Sequence, residues 1–569
     1  MIAAAVIQFS NASSESPSGA SRNHADTSVD VVVVGAGWSG LYTAKTLSDE
    51  GYSVAVVEAM PRLGGRSFRQ QILTDTANPL WIDEGGQWVG PTQTNVLELL
   101  KEYNIELYES PHALGDIAVY WNNASIAEPG PCWDCLILPT ANDTESAEAL
   151  YTTANDTNNS ELRDGLNALI DVMAAFRQVV DTIDPAKPWE APNADYLDSI
   201  TFTQWVDNQT DNELARTMME VAVSEQGATM SQGTWTSALH IARQLAAAPQ
   251  PETPEKWLVK GAMGQMPQLL ANNITANGGI IILDSPVHLI QQDANGVTVS
   301  TENRTIDASA VVVAMPPHLT GRIQYEPPMP PARDQLTQRA FMGSITKVIA
   351  VYDTPFWRNV STEATSGNTF VFGPQSTGAV QTAFDISPPL DIGGGGVGIL
   401  ASFIAENATD YFNMTDDERE KTVLKSFAEF YGPKALEPID FVQMVWAKEP
   451  FVGGAYGAVL GMGVWTSALG PALTQPVGRI YWAGTDSSSR WPGFYDGALS
   501  AAKSAIAHVK SDVKATGEYH VAEGAPAPGP SGGSGGGGGS SPASGAVQNM
   551  AGVVGMVMML VASTLIVVV

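Results

Sequence analysis

The stretch from Val31 to Glu58 restricts the possible folds of this chain more than any other. Val31–Val34 is a β-branched run, Gly35-Ala36-Gly37-Trp38-Ser39-Gly40 follows it, a helical segment extends from Trp38 to Glu50, and Ser53–Val57 is a second short strand. This is a βαβ opening with a GxGxxG turn at its first strand-to-helix junction. Gly35 permits the tight turn, Gly37 removes a Cβ where a pyrophosphate would approach, and Gly40 lets the helix sit close to the strand. Ser39 and Gly40 place the helix N-terminus over the phosphates. Glu58, at the end of the second strand, supplies a carboxylate for ribose hydroxyls, with Ala59 beside it. The pattern predicts a dinucleotide site on a Rossmann-like sheet.

The chain has 569 residues, more than one ordinary core accommodates, so at least two lobes are expected. Further short strands are predicted at Ile280–Leu283, Gly296–Ser300 and Ala310–Ala314, and helical patterns dominate Glu161–Val180 and Glu213–Ala247. The fold class that follows is α/β, an α+β two-lobed molecule. A discontinuous dinucleotide-binding domain (29–105, 252–340 and 450–515) is interleaved with a mixed-sheet and helical substrate domain (106–251 and 341–449). A net charge of -31 argues against a nucleic-acid partner, which needs clustered Lys and Arg against phosphates. An acidic exterior promotes solubility and also favours cationic substrates.

The fingerprint and the acid alone fit NAD or FAD; the next segment narrows the choice. Arg62-Leu63-Gly64-Gly65-Arg66-Ser67 resembles the extended motif of the flavin-containing amine oxidase family, in which the second arginine, here Arg66, approaches the pyrophosphate. Asp83-Glu84-Gly85-Gly86-Gln87-Trp88-Val89-Gly90-Pro91-Thr92 is similar to the monoamine-oxidase branch. Pro188–Pro192, Gly343–Lys347, Pro355–Arg358, Tyr481–Thr485 and Trp491–Gly497 match in the same order, so the resemblance spans roughly Val29 to Val509.

That resemblance implies FAD as cofactor, an amine and O2 as partners, and a role for each matching residue. Gly85, Gly86, Gln87 and Trp88 run beside the flavin ring. Val287 contacts the adenine end through its backbone, and Gly484, Thr485 and Asp486 hold the flavin phosphate and ribityl chain. Lys347 holds a water against the flavin, and Tyr456 with Phe494 frames the amine. Phe494 stands where many relatives have tyrosine, which leaves the substrate preference open. Ala455 aligns with the cysteine that carries covalent flavin in animal monoamine oxidases, so FAD is expected to be noncovalent. The implied reaction is oxidative deamination of an amine to an aldehyde, with release of hydrogen peroxide.

L-amino-acid oxidase and polyamine oxidase activities are alternatives on the same scaffold. The first would need an arginine for the substrate carboxylate, and Arg243 and Arg358 are available. A noncatalytic surface protein that keeps FAD for stability is an alternative of another class; Lys347 and Tyr456 argue against it. His240 and His288 read as packing or surface residues. No metal site is expected, because the two cysteines, Cys132 and Cys135, are too few for a cysteine-based zinc centre and read as a small local disulfide.

Acceptors of the Asn-X-Ser/Thr type are frequent: Asn11, Asn123, Asn142, Asn155, Asn158, Asn208, Asn273, Asn303, Asn359, Asn407 and Asn413. Their density points to the secretory route and the cell surface or exterior. Within the N-terminal segment 1–28, Met1–Phe9 is apolar but has no basic n-region, a poor match to a signal peptide. Residues 521–549 form a Gly/Ser-rich linker, and 550–569 are apolar, long enough at about 1.5 Å per residue to cover a bilayer core of about 30 Å. Linker and tail together fit a GPI-attachment signal, with a retained membrane anchor as the competing reading.

Overall fold

The computed structural model describes residues 27–72, 80–111, 117–121, 124–125, 160–220, 233–248, 255–359, 368–372, 380, 382–392, 396–405, 411, 413–517 and 520–521. Cys132, Cys135, residues 522–549 of the Gly/Ser linker and the apolar tail 550–569 lie outside these residues.

The first strand, Thr27–Val34, has a continuous apolar run, and a strand buried on both faces reads that way. It lies inside a nine-stranded sheet, paired in parallel with Thr305–Val313 on one side and Val54–Val57 on the other. Ile280–Ile282 extends the sheet beyond Val54–Val57, also in parallel. On the opposite side Val297–Thr301 and Val287–Gln292 form an antiparallel continuation, and Gln324–Glu326 closes that edge. Ile480–Trp482 joins Thr305–Val313 in parallel, so chain segments far apart in sequence complete one sheet. Val31, Val33, Leu41, Leu47, Val54 and Val56 are buried together where the first helix, Trp38–Asp49, packs on this sheet. A helix over Tyr495–Asp512 packs beside it and buries Leu499, Ala505 and Val509.

A second, seven-stranded sheet is ordered Asp440–Val445, Ile345–Tyr352, Gly398–Ala405, Thr382–Asp385, Asn368–Phe372, Ile117–Trp121 and Ala124–Ser125. Ile345–Tyr352 is buried along its whole length between two antiparallel neighbours. It places Lys347 in the interior of the molecule.

The strands and helices predicted from the sequence occur, with bounds moved by a few residues. The segment Glu213–Ala247 differs. Its described part holds two separate helices, Glu213–Met218 and Ala238–Ala246, and the second starts afresh at Ser237, whose hydroxyl accepts a hydrogen bond from His240 N. A serine cap offers the backbone a helix start that the apolar spacing alone does not reveal.

Candidate active site

The C-terminal ends of Thr27–Val34, Val54–Val57 and Thr305–Val313 meet at one cleft whose empty space, open solvent included, is about 1260 Å³. Crevices at these strand ends are where open α/β sheets bind ligands. Gly35 has φ +102°, and a Cβ there would lie 2.7 Å from the Ala314 carbonyl oxygen. A Cβ on Gly40 would lie 1.9 Å from the Gly35 carbonyl oxygen, so this glycine is required by packing behind the turn. Gly37 differs: the nearest atom to its Cβ position is Gly64 O at 3.9 Å. Its missing side chain therefore leaves room on the cleft side.

The Trp38–Asp49 helix has no side-chain cap at Gly37. Its first-turn N–H groups and the positive end of its dipole are left for an anion. Ser39 lines the cleft, but its hydroxyl donates to the Ala483 carbonyl, tying the turn to the strand end before Gly484. Glu58 also lines the cleft, with Oε2 accepting from Ala36 N at 2.6 Å and Oε1 from Met60 N at 2.9 Å. Burial pushes its carboxyl up, against the pull of those amides. Each oxygen retains a lone pair for a ribose hydroxyl. Ala59, Arg66, Val287, Gly484, Thr485, Tyr456 and Phe494 complete the expected residues found on the wall.

Arg66 donates to the Tyr456 carbonyl and pairs with Asp486 Oδ2 at 3.6 Å. Asp486 itself stands just behind the wall, where its Oδ1 accepts from Ala458 N while Oδ2 has no hydrogen-bond partner among the described residues. The Thr485 hydroxyl donates to the Phe494 carbonyl at 3.1 Å and accepts from Gly493 N at 2.9 Å. That pair of bonds fixes the loop presenting Phe494. Tyr456 and Phe494 are both largely buried, 5% and 7% exposed, and reach the cleft from different loops.

Seven expected residues, Gly40, Gly85, Gly86, Gln87, Trp88, Lys347 and Asp486, do not line the cleft. Gly85, Gly86, Gln87 and Trp88 run behind it, and a Cβ on Gly86 would lie 2.1 Å from the Tyr495 hydroxyl, which donates to Gly86 O at 2.7 Å. Trp88 is a core residue: its indole N–H donates to Ser110 Oγ at 3.2 Å and its ring packs edge-on against Phe384 and Phe403. Gln87 is tied to Lys347, whose Nζ donates to Gln87 Oε1 and to the Asp83 carbonyl, each at 2.7 Å. Lys347 is 1% exposed, and burial lowers its pKa against the opposing pull of Asp83 and Glu84. Glu84 is likewise buried, neither carboxyl oxygen has a hydrogen-bond partner among the described residues, and burial pushes it up to about 7.

Sequence reasoning missed Met315, Pro316, Arg322 and Tyr495 on the cleft wall. The rule for strand ends points to the first two, which follow directly after Thr305–Val313 and Ala314. Arg322 gives no such signal; it is held by donating to Pro450 O at 2.5 Å. The two arginines considered for a substrate carboxylate are engaged elsewhere. Arg243 donates to Pro185 O at 3.0 Å and Ser488 O at 2.6 Å, and Arg358 pairs with Asp385 at 2.7 Å. His240 is buried and His288 exposed.

A strand-end cleft with an uncapped helix N-terminus, an acid at the second strand and an arginine facing the same space defines a dinucleotide-binding oxidoreductase. The profile of the flavin containing amine oxidoreductase family matches residues 38–509, and the chain belongs to that family. It is 37% identical to an L-amino acid dehydrogenase of Synechocystis, over 84% of this chain and 94% of that protein. It is 30% identical to the flavin-containing amine oxidase B of Sus scrofa, over 84% of this chain and 86% of the relative. Wild-type putrescine oxidase solved with putrescine has the same fold, with a TM-score of 0.70 and 29% identity, covering 85% of this chain and 99% of that one. The cofactor is FAD, and the groups around the cleft fit it: room at Gly37, N–H groups at Trp38, Glu58 for ribose and Arg66 for phosphate charge. No cysteine or histidine is among the described residues lining the cleft, and Ala455 has no nucleophilic atom, which fits FAD held noncovalently.

Proposed function

We propose that this enzyme oxidises primary amines without a carboxylate beside the reacting carbon, giving an aldehyde, ammonia and hydrogen peroxide. The carrying observation is that Tyr456 and Phe494 line the same cleft, both largely buried, while Lys347 is held in the interior by Gln87 and the Asp83 carbonyl. When bound, FAD takes a hydride equivalent from the carbon next to nitrogen and passes the electrons to oxygen. The two rings orient the amine and exclude water, which lowers the barrier without a dedicated acid or base. Phe494 gives an apolar wall and no hydroxyl to bond a polar substituent. Lys347 supplies a positive charge next to the Gln87 loop, where it favours reduction of oxygen.

Engagement of Arg243 and Arg358 by protein groups supports simple amines over amino acids. The reading is tested by peroxide release from purified protein with hexylamine, benzylamine, spermidine and L-leucine. Hexylamine or benzylamine should be turned over with the highest kcat/KM. A clear preference for L-leucine would replace this reading with amino-acid oxidation, the reading favoured by similarity to the Synechocystis enzyme.

We also propose that the chain enters the secretory route, carries N-linked glycans and is attached to a membrane. The density of Asn-X-Ser/Thr acceptors and the apolar run Met550–Val569 after the Gly/Ser stretch support this. Among the described residues no helix is long and apolar enough to cross a membrane. Phosphatidylinositol-specific phospholipase C should release the enzyme from intact cells; retention on the membrane would favour an uncleaved anchor, and enzyme found only in the cytosol would reject the routing.

A further inference from the structure

Behind the cofactor cleft lies a separate small cavity, lined by His240, Arg243, Gln244, Trp465, Asp486 and Pro492 among others. Three polar atoms of its lining residues are buried without a hydrogen-bond partner among the described residues: His240 Nε2, Gln244 Oε1 and Asp486 Oδ2. His240 is 2% exposed and Asp486 6%. Buried polar atoms of this kind are ordinarily satisfied by protein or by ordered water. Their donor and acceptor characters are fixed by the neighbours. The indole N–H of Trp465 donates to His240 Nδ1 at 3.2 Å. An indole nitrogen only donates, so His240 Nδ1 accepts, and the neutral ring carries its proton on Nε2. Burial, reinforced by the charge of Arg243, keeps the imidazole neutral by lowering its pKa to about 3.

One donor, His240 Nε2–H, thus shares a cavity with two acceptors, Gln244 Oε1 and Asp486 Oδ2. A water that accepts one hydrogen bond and donates two matches the characters of these three atoms. The cavity has room for about one water. A cation fits the site poorly, because Arg243 stands in the same wall and the imidazole presents a proton rather than a lone pair.

We propose that this cavity is a built water site through which His240 acts as a positioning residue for Asp486. Asp486 Oδ1 is held by Ala458 N and its Oδ2 faces Arg66 at 3.6 Å, so the orientation of this one carboxylate sets how Arg66 meets the cofactor cleft. The inference rests on the assignment of Asp486 and Arg66 to FAD. The bridging water holds the Oδ2 edge from behind, while Arg66 holds it from the cleft side.

The test is the rate of FAD release from the holoenzyme, followed by the fluorescence of free flavin after dilution. His240→Leu removes the donor and should speed release about tenfold, the effect of losing one hydrogen bond to a charged group. His240→Gln, which retains an N–H for the water and an oxygen for Trp465, should release FAD at close to the wild-type rate. Asp486→Asn should speed release at least as much as His240→Leu, and the double variant should be no faster than Asp486→Asn alone, because both changes break the same bridge. Release from His240→Leu at the wild-type rate, or effects of the two changes that multiply independently, would overturn the proposal. Wild-type release from Asp486→Asn would instead reject the assignment of Asp486 to FAD. A high-resolution crystal structure supplies the second readout: an ordered water touching all three atoms in the wild type and in His240→Gln, with its absence from the wild type contradicting the site.

Discussion

Lys347 and Gln87 meet in the interior, with Nζ donating to Oε1 at 2.7 Å across a separation of 260 residues. One lies on the second sheet and the other on the loop that follows Leu80–Asp83, so this contact ties that loop to the second sheet.

Replacing Lys347 with Met removes the charge and leaves Gln87 Oε1 and the Asp83 carbonyl without this donor. Reoxidation of the reduced enzyme by oxygen should slow by about a hundredfold, the usual scale for losing one preorganised charged donor. Anaerobic reduction by amine should change far less. Stopped-flow measurement of the two half-reactions separates them, and equal losses in both would indicate general structural damage.

Glu84 yields a pH prediction. Its folded-state pKa of about 7 stands above the ordinary value of 4.5, so the folded protein binds this proton more tightly than the unfolded chain does. The stabilisation from the protonated carboxyl is complete below about 4.5 and is lost as pH rises through 7. Glu84→Gln keeps the side chain neutral at every pH. The variant should therefore gain on the wild type between pH 5 and pH 8, by no more than about 3 kcal/mol. Thermal unfolding at the two pH values checks this; an unchanged difference would mean that Glu84 is ionised in the fold at both.

Gly37 and Gly40 should respond differently to the same substitution. Gly40→Ala drives a Cβ to 1.9 Å from a backbone oxygen, which should cost about 3 kcal/mol or more and deplete folded protein. Gly37→Ala meets no protein atom closer than 3.9 Å, so the fold should survive while FAD affinity falls at least about tenfold. Circular dichroism and FAD content of the purified variants distinguish the outcomes. Full FAD occupancy in Gly37→Ala would place the pyrophosphate elsewhere.

Ala455 leads to a test of cofactor attachment. Acid precipitation of the purified enzyme should leave all of the yellow colour in the supernatant. Flavin retained in the washed precipitate would contradict the noncovalent assignment.

What the sequence revealed follows the range of the interactions. Gly35, Gly40 and Glu58 were legible because strand, turn, helix and acid are contiguous, and their requirements are local. Lys347 was legible only through resemblance. Its burial and its partners at Asp83 and Gln87 depend on the way two sheets dock. The segment Gly85–Trp88 was assigned beside the flavin, yet the side chain of Trp88 turns into the core against Phe384 and Phe403, residues that no local pattern connects to it. Arg243 and Arg358 illustrate the same limit. An arginine in sequence is a free cation until the fold supplies the Ser488 carbonyl or the Asp385 carboxylate that occupies it. The cavity at His240 is formed by segments more than two hundred residues apart and has no sequence signature.

The central claim is that FAD in this cleft is reduced by an amine. Hexylamine added without oxygen to the FAD-loaded enzyme should bleach the flavin absorbance, and admission of air should restore it with one peroxide formed per amine consumed. A flavin band that remains unbleached by hexylamine, benzylamine, spermidine and L-leucine, in protein with FAD bound, would contradict the account.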